Sequence, residues 1–429
     1  MKTLPIRPLP QDRAVSAGPW RFAHLMNAPH RLAFAAGAAM LTVTALWWAV
    51  ALMARQAAFA LPWAVSPPAA HGLVMALGFM PFFITGFAFT AGPRWLGLPE
   101  VPAAVLRVPL LSMLAGWLVA LLGLHLAAPW AAAGVAAVAL GWSAVVRRFV
   151  GLLRASPAPD KLHPSLLAAT AALGALALWV AAAALALGDD TALRAATRLA
   201  LWGFLAPLFV TVAHRMLPFF TASALPLQRA WRPNALLWAM LAAVAAELPF
   251  ALAELWWWPL PPAARWAQVA IEGPAALLLL WLAVHWGLLQ SLKIRLLAML
   301  HTGFLWLGLS FALGAVSHAM MAWRGAEHSL GLAPLHALTM GYLGSTLLAM
   351  ATRVTAGHSG RPLAADDIAW ALFWVLQIAV LLRLASALWP AAAVPLLLAA
   401  VAAWALAMVG WALRYGRWLG RPRADGRPG

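Results

Sequence analysis

Residues 71–92 read HGLVMALGFMPFFITGFAFTAG, with no lysine, arginine, aspartate or glutamate among them. About 20 apolar residues in helical conformation cross the hydrocarbon core of a bilayer. A stretch of this length and composition is a membrane span. Working outward, the same test is met by 32–53, 104–126, 130–149, 164–187, 195–214, 234–256, 264–289, 294–318, 333–356, 367–387 and 391–413. Twelve spans account for most of the 429 residues, which are 64% hydrophobic and only 10% charged. The sequence therefore predicts an all-α polytopic membrane protein. A tail over 1–31 precedes a twelve-helix domain over 32–413, and a basic tail over 414–429 follows it.

Charge tests the count. With both ends on one side, the segments facing the far side hold Arg55, Arg194, Arg198, Arg265, Arg324 and Arg383, and the other 23 of the 29 lysines and arginines face the terminal side. Basic residues concentrate in cytoplasmic loops. The bias therefore predicts a multi-pass membrane protein with cytoplasmic termini. Residues Met1–Arg31 lack the apolar stretch and cleavage site of a secretory signal and read as an irregular tail. The net charge of +17 is spread over short clusters between spans rather than gathered on one face. That pattern excludes nucleic acid as a partner and points to the lipid bilayer. Trp63, Trp95, Trp130, Trp231, Trp256, Trp257, Trp258, Trp389 and Trp418 fall near span ends, where indoles favour the interface.

Cysteine is absent, so no disulfide or thiolate ligand is available. Metal ligands must come from other side chains, and the twelve histidines sort by side. His71, His125, His318 and His336 fall at outer ends of spans. His328 falls in an outer loop; His214, His285, His301 and His358 fall toward the inner side, while His24, His30 and His163 belong to tail or loop. His285 and His301 share a depth that would allow an inner site. His71-Gly-Leu-Val-Met75 is followed 19 residues after the histidine by Thr90-Ala-Gly92, and His336-Ala-Leu-Thr-Met340 is followed at the same distance by Thr355-Ala-Gly357. This repeat places two imidazoles at one depth on two parallel helices, spans two and ten. Spans eight apart fit three four-helix units better than two inverted halves. Glu247 and Glu272 fall inside spans seven and eight. They read either as a proton route or polar partner of a metal site, or as protonated side chains in hydrogen bonds.

The stretches His336-Ala-Leu-Thr-Met-Gly341, Arg353-Val-Thr-Ala-Gly-His358-Ser-Gly-Arg361-Pro-Leu363, Arg215-Met-Leu-Pro-Phe-Phe-Thr221 and His301-Thr-Gly-Phe304 resemble the NnrS family of bacterial membrane proteins. The resemblance implies twelve spans arranged similarly to the haem–copper oxidases, association with haem and copper, and a part in the response to nitric oxide or protection against nitrosative stress. It implies His71, His301, His336 and His358 as ligands, His71, His336 and His301 being the metal set, with Arg215 and Arg353 as cofactor-side cations. Nitric oxide is the small diatomic ligand it implies. The family's second-span motif His-x-His-Glu-Met reads His71-Gly-Leu-Val-Met75 here, without the second histidine and the glutamate. Haem is therefore the better expectation and copper the weaker one. The alternative reading is a transporter or permease without a cofactor, and a third is an accessory subunit.

Overall fold

In the computed structural model, which describes residues 18–225 and 229–426, eleven helices are long and apolar enough to cross a membrane. They are α1 (Pro29–Gln56), α2 (Pro67–Trp95), α3 (Ala104–Leu126), α4 (Ala128–Ala155), α5 (Leu162–Leu187), α6 (Asp190–Ala224), α7 (Asn234–Trp256), α8 (Pro262–His285), α9 (Arg295–Arg324), α11 (Asp367–Leu388) and α12 (Pro390–Leu419). The remaining expected span also forms. It is α10, residues 333–358, in which Ala333–His336, the π-helical Ala337–Gly344 and Ser345–His358 follow without a gap. α10 is less apolar than the other spans, since it carries His336, Tyr342 and Arg353 besides Ser345, Thr346, Thr352 and Thr355, the last four buried in the protein interior. The chain is a polytopic all-α membrane protein, with eleven spans by composition where the sequence predicts twelve.

Neighbour relations repeat every four helices. α4 packs along α5, α8 along α9, and α12 along α1, so the first and last helices close a ring. α2, α6 and α10 lie inside that ring. In α2 and α6 most of the spanning stretch is buried by protein rather than left to face lipid.

These three inner helices share a defect. α2 breaks after Leu77 at Gly78 and Phe79, where Pro81 supplies no N–H and its ring would clash with the carbonyl four residues back. α6 widens to a π-helix over Ala200–Leu205 just before Pro207, and α10 does so over Ala337–Gly344. Such interruptions recur at functional sites. A third copy of the repeat becomes visible once α6 is seen as the equivalent of α2 and α10. Thr221-Ala-Ser223 takes the place of Thr90-Ala-Gly92, and 19 residues before Thr221 stands Trp202 instead of histidine.

Small residues bring the outer helices together, because helix association in lipid relies on close backbone approach. In the α3–α4 hairpin a Cβ on Gly116 would lie 2.6 Å from the Gly134 carbonyl oxygen, so only glycine fits there. Polar side chains tie α10 inward. Trp306 Nε1 donates to Gln377 Oε1 at 2.8 Å, Gln377 Nε2 donates to Ser345 Oγ at 2.9 Å, and Trp411 Nε1 donates to Thr352 Oγ1 at 2.9 Å.

Both described ends lie on one face, here the terminal face. Arg21 N donates to the Gly420 carbonyl at 2.8 Å, and Ala424 N donates to that of Ser359 at 2.9 Å. The irregular tail expected over 1–31 needs correcting where it is described: Phe22–Asn27 is a 3-10 helix and α1 starts at Pro29. Residues 1–17 lie outside the described residues. α12 continues past 413 to Leu419 because Tyr415 and Leu419 pack into the core.

Candidate functional site

The repeat predicts His71 and His336 side by side, and in the structure they lie on the side opposite the termini, near the starts of α2 and α10. Each lies within electrostatic reach of the other and of Arg383 on α11. The two rings are held differently. His336 Nδ1 lies 2.9 Å from the Leu332 carbonyl, which can only accept, so Nδ1 carries the proton and Nε2 keeps a bare lone pair. A ring nitrogen fixed by a backbone carbonyl is the usual arrangement behind a metal-ligating histidine. His71 stacks on Trp48 with centroids 4.0 Å apart and planes 26° apart. Its Nδ1 is buried without a hydrogen-bond partner. Ligation uses a lone pair in the ring plane, so an indole on the ring face orients His71 without covering its donors. An unpartnered buried ring nitrogen is costly and suits a site meant to be filled.

His301 does not join them. It lies near the start of α9 on the terminal side, with Nε2 2.9 Å from Thr221 Oγ1. Thr221 gives its own proton to Leu217 O at 2.9 Å, so His301 Nε2 donates to the threonine and only the buried Nδ1 retains a lone pair. The metal set His71, His336 and His301 is therefore split between the two halves of the protein. Among the described residues, no group of three histidines or carboxylates is placed to hold a metal ion.

His358 also lies apart, at the end of α10, with its ring centroid 4.4 Å from that of His30. His30 and His163 were expected in a tail and a loop. Both are instead buried in the first turns of α1 and α5. His163 Nε2 lies 3.1 Å from His214 Nδ1, and His214 Nε2 lies 3.2 Å from the Pro233 carbonyl. Since that carbonyl only accepts, His214 donates from Nε2 and accepts at Nδ1 from His163. The terminal half thus holds two histidine pairs, one between α1 and α10 and one between the consecutive helices α5 and α6, that placement by side alone did not pair. His285, expected beside His301, is exposed and packs against Trp281 and Trp231.

Arg215 and Arg353 do not reach the His71–His336 pair. The Arg215 guanidinium sits 4.6 Å from the Trp95 ring centroid and that of Arg353 3.9 Å from the Phe220 ring. Both are cation–π contacts on the terminal side.

Glu247 and Glu272 line one cavity of about 440 Å³ near the opposite face, between α6, α7, α8, α9 and the start of α10. Glu272 Oε2 is 2.7 Å from His318 Nδ1, and Gly314 leaves room for its carboxylate, which any Cβ there would meet. Buried Arg265 pairs with Glu254 and donates to Gln268 Oε1 at 2.8 Å. Trp202, in the place of the repeat's third histidine, forms part of the wall, as does Leu335 beside His336.

A family model described as the NnrS protein matches residues 24–423, nearly the whole chain. No curated protein matches it at a significant level.

Proposed function

The chain belongs to the NnrS family, and on that premise we propose that it is a haem-binding membrane protein acting in the response to nitric oxide. The observation that carries the proposal is the pair of imidazoles on α2 and α10, one with a bare Nε2 and one with an orphaned Nδ1. Two histidines are a known way to hold haem iron without thiolate. His336 would be the fixed ligand, its tautomer set by the Leu332 carbonyl. Arg383 is placed to offset the negative charge of a propionate. A bound haem supplies a redox-active iron that takes diatomic ligands such as nitric oxide. His336 and His71 would together hold the iron. His71, with no hydrogen bond to its Nδ1, is the less tethered of the two. Copper fits less well. The second-span histidine and glutamate are absent, and no third ligand stands beside the pair among the described residues. The concentration of lysine and arginine on the terminal face supports its being cytoplasmic in a bacterial inner membrane.

The test is the absorption spectrum of detergent-purified protein expressed with ample haem. A Soret band that is lost in His336→Ala and lost or shifted in His71→Ala is the expected result. Absence of the band from the unaltered protein, or a band indifferent to both substitutions, overturns the proposal.

The polar cavity of about 440 Å³ favours one second reading, a permease whose solute enters from the face opposite the termini. Solute uptake by haem-free protein in liposomes, abolished by Glu247→Gln, would establish that reading instead.

A further inference from the structure

The terminal face holds a cluster of guanidiniums that the haem proposal does not use. Arg31, in the first turn of α1, is 2% exposed. Its Nη1 donates to the Leu419 carbonyl at 3.1 Å and to that of Arg421 at 2.7 Å, which fixes the guanidinium in place. Its Nη2 is buried and has no hydrogen-bond partner among the described residues. Arg361, in the loop after α10, lies within electrostatic reach of Arg31 and likewise has a buried Nη1 without a partner. The Nε groups of Arg414 and Arg421 are in the same condition. One indole holds two of these cations close together: the Trp418 ring lies 4.4 Å from the Arg361 guanidinium carbon and 5.4 Å from that of Arg414.

The negative charges at hand are already engaged. Asp366 binds Arg414 and caps α11 through the Ala369 N–H, while Asp425 takes two bonds from Arg423. Burial lowers the Arg361 pKa, and the like charges of Arg421, Arg417 and Arg414 lower it further. Like charges gathered by an aromatic ring, with charged donors left buried and unpaired, are expensive unless an anion completes them. A carboxylate offers two oxygens in one plane. A tetrahedral phosphate offers oxygens in several directions, which better suits guanidinium groups carried by α1, the α10–α11 loop and the chain after α12.

We propose that Arg31, Arg361 and Arg421 form a binding site for a phosphate group on the terminal face. The chemistry is common to an anionic phospholipid headgroup at the membrane surface and to a soluble phosphate.

The experiment uses the full chain, delipidated in detergent, with thermal unfolding and native mass spectrometry as readouts. One arm reconstitutes it in nanodiscs of phosphatidylglycerol or of phosphatidylcholine. The other adds sodium phosphate or sodium chloride at equal ionic strength. Phosphatidylglycerol binding about tenfold tighter than phosphatidylcholine, and weakened about tenfold by Arg361→Gln, supports the site with a lipid as its source. Phosphate stabilising the chain where chloride does not, with the effect lost in Arg361→Gln, supports it with a soluble source. Arg31→Met carries a risk of misfolding, so Arg361→Gln is the deciding variant, and Arg55→Gln on the opposite face is the control. No preference for phosphate in either arm overturns the proposal. So does a preference that Arg361→Gln leaves intact.

Discussion

At the scale of single residues, Asp366 shows how a few bonds decide a charge state. Burial works against its carboxylate, but the Ala369 N–H and the Arg414 guanidinium outweigh burial and hold its pKa below the ordinary aspartate value. Because the folded value is depressed, the resulting stability is complete above the unfolded pKa of about 3.9 and is lost as pH falls through the folded value. Asp366→Ala should cost about 1 kcal/mol at neutral pH through the lost helix cap. The unfolding midpoint of that variant should converge on that of the unaltered protein as pH falls through the depressed folded value, and a gap that persists once the carboxyl is protonated would contradict the assignment. His301 is a second case. With Nε2 committed to Thr221, His301→Ala should leave any Soret band unchanged, as absorption spectra of the purified variant would show. The residue types at these positions were legible in the sequence, but their partners were not. Thr221 and His301 are 80 residues apart, and no local pattern announces their contact.

At the scale of elements, the helices themselves were readable because lipid imposes a length and a composition on each. α10 was readable too, although its polar side chains leave it less apolar than the other spans. What could not be read was the start of α1 and α5. Charge and proline near His30 and His163 suggested tail and loop, whereas Pro29 and Pro164 are accommodated in first turns, where a missing N–H costs nothing. The middle copy of the repeat was expected on the sixth span without its opening histidine; what the sequence left open was that Trp202 stands in that place and Thr221-Ala-Ser223 closes the copy. The α3–α4 hairpin supplies the prediction at this scale. Gly134→Val drives a side chain into the Ala120 backbone and should destabilise the protein by about 1–3 kcal/mol or prevent the hairpin from closing. Valine at Gly151, which has open space around it, should be near neutral in the same thermal-unfolding measurement.

At the scale of the whole molecule, the four-helix period suggested by the spacing of spans two and ten appears as repeated neighbour relations, with α1 against α12 completing the series. Ala49, Leu52, Val401 and Ala405 form the buried patch between those two helices. The native chain has no cysteine, so Ala49→Cys combined with Ala405→Cys can be joined by a short bis-maleimide, which adds to both thiols, without background. After cleavage in the loop between α6 and α7, the two fragments should migrate as one band; separation would show that the ring is open. Closure of the ring also imposes an order on synthesis. The carbonyl acceptors of Arg31 lie up to 390 residues further along the chain, and His336 is translated long after His71. Until the last helices arrive, Arg31 lacks both of its carbonyl acceptors and His71 lacks its neighbour on α10. On the proposed function, haem would be loaded during the biogenesis of the protein rather than in its working cycle.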